Sequence, residues 1–182
     1  MSRHFNNIME LYIIEKYKEL YPELSGRSLT DALIKDCLEA YGVQEPQVLR
    51  TPKGKPYIDF CKTQDAEESN GQDVHFSVSH SGDHFAFIAA DCPVGIDIQQ
   101  RKGSNANKIA ERYFSDREKE YVKENGEAGF FTVWTRKEAY SKLTGEGIAE
   151  IIRGTDVLDR NDVKFTDIQL EDGIWCSYCI SI

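Results

Sequence analysis

Between Val74 and Gln99 the chain carries three short runs of strand-like residues separated by two tight turns. Val74, Phe76 and Val78 alternate with His75, Ser77 and Ser79, the period-two pattern of a strand buried on one face. Ser81-Gly82-Asp83 supplies a turn, His84–Ala90 returns as a mostly apolar strand, and Asp91-Cys92-Pro93 turns again into Val94–Gln99. The spacing predicts three consecutive antiparallel strands. Elsewhere, Ser28, Leu29, Ala32, Leu33, Asp36, Cys37 and Ala40 recur at helical spacing within Leu24–Tyr41, and Gly42 closes that helix. Met9–Ile14 reads as a strand or as the start of a helix. Val48–Leu49 and Tyr57–Phe60 read as extended pieces flanking the turn Thr51–Pro56, and Lys62–Asp73 as a polar loop. Helices are expected over Asn105–Phe114 and from Ser115, where Ser115 with Glu118 fits a capping box. Val163–Leu170 and Ile174–Ile180 form a hairpin around Glu171-Asp172-Gly173.

With 182 residues, 40% of them hydrophobic, the chain makes one globular domain or two tightly packed halves. No apolar run approaches the ~20 residues needed to span a bilayer, and no signal peptide is visible. Five scattered cysteines suit reduced thiols in a cytoplasm. Cys176 and Cys179 spell C-x-x-C, but on an alternating strand they point to opposite faces. A formal charge of −9 argues against a general nucleic-acid binder. The charge is uneven: between Gln100 and Gly145 ten Lys/Arg stand against seven Asp/Glu, a local +3 that leaves −12 elsewhere.

Phe130–Gly147 is the stretch richest in chemistry. At about 100° per residue, Phe131, Trp134, Thr135, Glu138 and Lys142 fall within one third of a helical wheel. Gly145 and Gly147 stop the helix near Thr144. Read without context, Glu138 and Lys142 are an ordinary i,i+4 pair worth about 0.3–0.5 kcal/mol; the aromatics beside them argue for burial or a lined cleft. In Val94–Gln99 the valine and isoleucines share one face of a strand, and Gly95, Asp97 and Gln99 the other. Asp97 and Gln99 offer oxygen only, which suits Mg²⁺ better than zinc, with Glu138 as a third ligand. The tip Ser77–Gly82 can present hydroxyls, an imidazole and backbone N–H groups to a phosphate. Lys53 and Lys55 make a second candidate phosphate clamp.

In this order the pieces resemble the 4′-phosphopantetheinyl transferase superfamily, of the longer surfactin-synthetase-activating type. The resemblance rests on Gly-Lys-Pro at 54–56, Phe-Ser-Val-Ser-His-Ser-Gly at 76–82, Val-Gly-Ile-Asp-Ile at 94–98 and Trp-Thr-Arg-Lys-Glu-Ala-Tyr-Ser-Lys at 134–142. Arg112-Tyr113-Phe114-Ser115 with Glu118 adds to it. It implies an α+β pseudo-dimer of two similar α/β halves with antiparallel sheets, residues 1–93 carrying coenzyme A phosphate-binding elements and 94–182 the metal and catalytic helix. It implies a cytoplasmic monomer that moves the phosphopantetheine arm of coenzyme A onto a serine of an apo acyl or peptidyl carrier protein. The product released is adenosine 3′,5′-bisphosphate. By the same resemblance Asp97, Glu138 and Gln99 hold Mg²⁺, with Mn²⁺ as the alternative. Glu138, directly or through water, takes the serine proton, and Lys142 steadies phosphate charge. Lys55, Ser79, His80, Lys53, Lys137 and Arg27 contact coenzyme A; the +3 segment, with Arg112, Phe114 and Arg117, is the candidate docking place for an acidic carrier. Gln99 departs from the glutamate common at that place, which removes one negative charge. Two rival readings are a catalytically idle coenzyme A- and carrier-binding module and a metal-dependent phosphodiesterase.

Overall fold

The computed structural model describes residues 9–52, 54–58, 74–101, 106–170 and 173–182. Lys53, the proposed loop over Lys62–Asp73 and the turn residues Glu171 and Asp172 lie outside them. Two three-stranded antiparallel sheets form the frame. The first has the order β1 (Glu10–Glu15), β5 (His84–Ala90), β4 (His75–Ser81). The second has the order β6 (Val94–Gln100), β8 (Ile174–Ser181), β7 (Val163–Gln169). A small hairpin, β2 (Val48–Arg50) with β3 (Pro56–Ile58), stands apart from both. The architecture is α+β, with an antiparallel sheet in each half.

Of the three strands expected over Val74–Gln99, the first two pair as an antiparallel hairpin, with Phe76 opposite Ala89. The third leaves. Val94–Gln100 pairs instead with the C-terminal strand, Asp97 opposite Ser177. Burial explains the switch: Val94, Ile96 and Ile98 are all buried and pack face to face on Ala86, Ile88 and Ala90 of β5. Continuing in the same sheet would have left that apolar set without a facing layer. Met9–Ile14 resolves as a strand, because pairing with His84–Ala90 satisfies its backbone from Glu10 to Glu15.

Helix α1 (Gly26–Tyr41) covers the outer face of the first sheet. Leu29, Leu33, Ile34, Cys37 and Leu38 sit on Phe76, Phe85 and Phe87 in one buried cluster. Gly42, at φ 109°, ends the helix as the sequence predicts. The second sheet is covered by α2 (Ala106–Tyr113), α3 (Asp116–Thr144) and α4 (Ile148–Gly154). Helix α3 opens with the expected capping box, Ser115 Oγ accepting from Glu118 N. It is not straight. Gly126 adopts φ 61°, ψ −139°, a conformation that only glycine takes without strain, and the chain turns there. Gly129 then packs against the Tyr121 carbonyl and the Val122 Cα, so the two limbs lie back to back. Cys176 and Cys179 fall in separate buried clusters, as their alternation requires, and burial pushes both thiols up to about 12.

Candidate active site

The site forms where α3 crosses the second sheet. Phe131 stacks on Trp175 of β8 with ring centroids 4.1 Å apart. One turn later Thr135 Oγ1 meets Ser177 Oγ at 2.7 Å. Another turn on, the helix reaches Gly95 of β6. A Cβ on Gly95 would lie 2.0 Å from the Ala139 carbonyl oxygen, so only glycine lets the helix backbone come this close. That approach sets Glu138 and Lys142 beside Asp97, the next residue on the same strand face. Trp134, expected in this stripe, turns aside to stack on Phe130.

Asp97 is 2% exposed and holds three donors. Lys142 Nζ and the Ser79 hydroxyl both donate to Oδ1 at 2.7 Å, and Gln99 Nε2 donates to Oδ2 at 2.9 Å. Lys142 also donates to the Ile96 carbonyl at 2.9 Å. Its ion-pair partner is therefore the strand aspartate. Glu138 is half-buried, and its carboxyl is raised above the ordinary glutamate range. Burial is the main cause, the neighbouring Asp97 carboxylate adds to it, and Lys142 opposes it. The two carboxylates thus lie near enough for the Asp97 charge to act on Glu138. Every donor they and Gln99 offer is oxygen, with no histidine or thiol, which is the set a hard divalent cation takes. As placed, Gln99 serves Asp97 through its NH₂; ligation through its carbonyl requires the amide to turn over. Among the described residues no cluster of three His, Cys, Asp or Glu forms a ready-made metal cage.

Beside this centre runs a groove between the two halves. One chamber, about 300 Å³, is lined by Gly54, Lys55, Phe76, Ser77, Lys142 and Gly145. A neighbouring one shares Lys55 and Phe76 and continues to Tyr57, Val74, Pro93 and Leu143. Lys55 bridges the halves by donating from Nζ to the Lys142 carbonyl at 2.7 Å; burial lowers its pKa. His80 points from the opposite face of β4 toward Tyr17, ring centroids 6.1 Å apart. Burial, then the charges of Lys142 and Lys18, hold its pKa below the ordinary value.

Not every candidate gathers here. Lys137 is a correction: it is 1% exposed and ion-paired to Glu118 at 2.9 Å, with the Thr155 carbonyl as a second partner. The helical rotation of about 100° between Lys137 and Glu138 sends one into the core and the other into the cleft. Phe114 is likewise 4% exposed and stacked on Phe130, so it offers nothing to a partner. Arg27 is exposed in the first turn of α1 and lines neither chamber. Sequence reasoning missed Lys18, whose Nζ binds the Gly82 carbonyl at 2.7 Å beside His80. Only the pairing of Glu15 with His84 brings it there, and no local pattern announces that.

A profile described as "4'-phosphopantetheinyl transferase superfamily" matches residues 93–179, and one described as "4'-phosphopantetheinyl transferase, N-terminal" matches residues 7–93. The chain belongs to the 4′-phosphopantetheinyl transferase superfamily. Among the superfamily's curated members, the 4'-phosphopantetheinyl transferase psf-1 of Bacillus pumilus is 44% identical over 93 residues, 45% of this chain and 40% of that protein. The 4'-phosphopantetheinyl transferase gsp of Aneurinibacillus migulanus is 29% identical over 72% of this chain and 51% of its own length. A 4'-phosphopantetheinyl transferase of Bacillus subtilis is 30% identical over 74% of this chain and 53% of its own. The chain thus spans about half the length of the curated relatives it matches. No helix among the described residues is long and apolar enough to cross a membrane.

Proposed function

We propose that this chain is a holo-[carrier protein] synthase, transferring the 4′-phosphopantetheine arm of coenzyme A to a serine of an acyl or peptidyl carrier protein. Adenosine 3′,5′-bisphosphate is the leaving product. The observation that carries the reading is the nearness of Asp97 and Glu138, from a strand and a helix far apart in the chain, with Lys142 bonded to Asp97 and its charge felt by Glu138. Attack on a pyrophosphate needs positive charge around the developing anion and a base near the nucleophile.

Asp97 and Glu138 would hold Mg²⁺ or Mn²⁺, with Gln99 as a third oxygen donor once its amide turns, and the cation would neutralise charge on the pyrophosphate. Glu138, with its raised pKa, receives the proton of the carrier serine directly or through one water. Lys142 and Lys55 form the cationic wall of the groove and donate to phosphate oxygens. Lys18 adds a second positive charge on the first half, and His80 beside it, held neutral by its lowered pKa, donates a ring N–H. Residues 1–93 thus supply the coenzyme A side and 94–182 the metal and base; the two sheets support that division.

The nucleotide product tests the reading. Adenosine 3′,5′-bisphosphate is expected only when coenzyme A, Mg²⁺ and an apo-carrier are all present. Its release without carrier marks a phosphodiesterase, and coenzyme A binding without release marks an idle module.

A further inference from the structure

Strand β4 presents Ser77, Ser79 and Ser81 to the free edge of β6, and all three are buried. The outer two do one job: Ser77 Oγ accepts from Ile96 N at 3.1 Å and Ser81 Oγ from Gln100 N at 3.0 Å. The contacts advance in step, 77 with 96 and 81 with 100, so the strands run side by side in the same direction. Hydroxyls stand where a backbone ladder would otherwise lie. The middle rung is different. Ser79 spends its proton on Asp97 Oδ1 at 2.7 Å, the oxygen that Lys142 also holds.

We infer that Ser79 is a positioning residue for Asp97, fixing the carboxylate from the opposite half of the protein, and is not a grip for coenzyme A phosphate. The inference rests on the reading of Asp97 as the metal-holding carboxylate. A serine hydroxyl has one proton to give. Committed to Asp97 at 7% exposure, it has only lone pairs left, and a phosphate oxygen needs a donor. Three donors from three different elements fix the orientation of Asp97: Ser79 from β4, Lys142 from α3 and Gln99 from its own strand. Without Ser79, Oδ1 keeps only the lysine, and a carboxylate drawn toward Lys142 presents its oxygens differently to a cation. Outer partners of this kind are worth roughly 10–100-fold in metal affinity.

The test measures Mn²⁺ binding by isothermal titration in the intact protein without coenzyme A, and coenzyme A binding separately in EDTA. Ser79→Ala is expected to weaken Mn²⁺ binding roughly 10–100-fold while coenzyme A affinity in EDTA stays at the wild-type level. Ser79→Thr, which keeps the hydroxyl, recovers Mn²⁺ affinity. Ser81→Ala, which removes an outer rung, lowers the melting temperature and leaves Mn²⁺ affinity alone. Should Ser79→Ala fold poorly, Ser79→Cys keeps the volume with a weaker donor and makes the same comparison. Wild-type Mn²⁺ affinity in Ser79→Ala, with coenzyme A binding lost, overturns this inference alone. Absence of Mn²⁺ binding in the wild type overturns it together with the metal reading beneath it.

Discussion

Glu118 and Lys137 belong to one continuous helical element, yet their charged groups meet at 2.9 Å in the interior, 0% and 1% exposed. On a straight helix nineteen residues would separate them by about 28 Å. The fold-back at Gly126 brings them together, and the pair is fully bonded. Glu118 Oε1 also accepts from Val157 N at 2.9 Å and Oε2 from Ser115 N at 2.9 Å, while Lys137 reaches the Thr155 carbonyl. The node fastens both limbs of α3 to the segment after α4, immediately behind Glu138.

Removing one partner leaves a buried charge with no counter-charge. Lys137→Met is therefore expected to cost about 3–5 kcal/mol of stability, read by urea denaturation. Coenzyme A affinity of the folded protein should hold. Unchanged stability with weakened coenzyme A binding would show that Lys137 reaches a phosphate after all.

Gly95→Ala should be damaging out of proportion to its size. The new methyl would meet the Ala139 carbonyl at 2.0 Å and the Leu143 nitrogen at 2.8 Å, both backbone atoms that cannot rotate away. Overpacking of this kind costs about 1–3 kcal/mol, and the helix must shift away from Asp97. Thermal melting and Mn²⁺ titration should both worsen; a variant that loses neither would mean the helix has slack there.

These two glycines divide what the sequence makes legible from what it does not. The capping box at Ser115, the C-cap at Gly145 (φ 76°) and the C-terminal hairpin all follow from patterns a few residues long, whereas the approach of Asp97 to Glu138 came only from the motif order. Gly126 carries no such signal, because a lone glycine within a helical pattern is ordinarily tolerated, so the helix from Ser115 is legible but its fold-back onto the second limb, and with it the burial of Lys137, is not. The departure of Val94–Gln100 from the first sheet was equally invisible. Its alternation is the same whichever sheet it joins, and only the apolar face of β5 decides.

Glu138 links stability to pH in the metal-free protein. Its folded-state pKa lies above the ordinary value. Between the two values the native state keeps a proton that the unfolded chain has released, so stability falls as pH rises through that window. Above it the ionised carboxylate is a net cost. Glu138→Gln should therefore raise the melting temperature in EDTA at neutral pH, with the gain fading toward about pH 4 as both states protonate. A gain that does not vary with pH would contradict this assignment.

Arg112 remains exposed, lying 5.1 Å from the Tyr113 ring centroid, and Arg117 pairs with Asp159 at the surface. In a protein of net charge −9 they fit an acidic partner. Arg112→Glu or Arg117→Glu should raise the carrier KM several-fold, roughly the effect of reversing a charge at an interface rim, and leave the coenzyme A KM nearly unchanged. Equal loss of both removes the docking proposal.

The most direct measurement is the intact mass of an apo-carrier protein after incubation with this chain, coenzyme A and Mg²⁺. The account predicts a gain of one phosphopantetheine group on the carrier with the wild-type chain, and none with Glu138→Gln or Asp97→Asn. Full modification by either variant would contradict it, because the meeting of those two carboxylates would then have no part in the transfer.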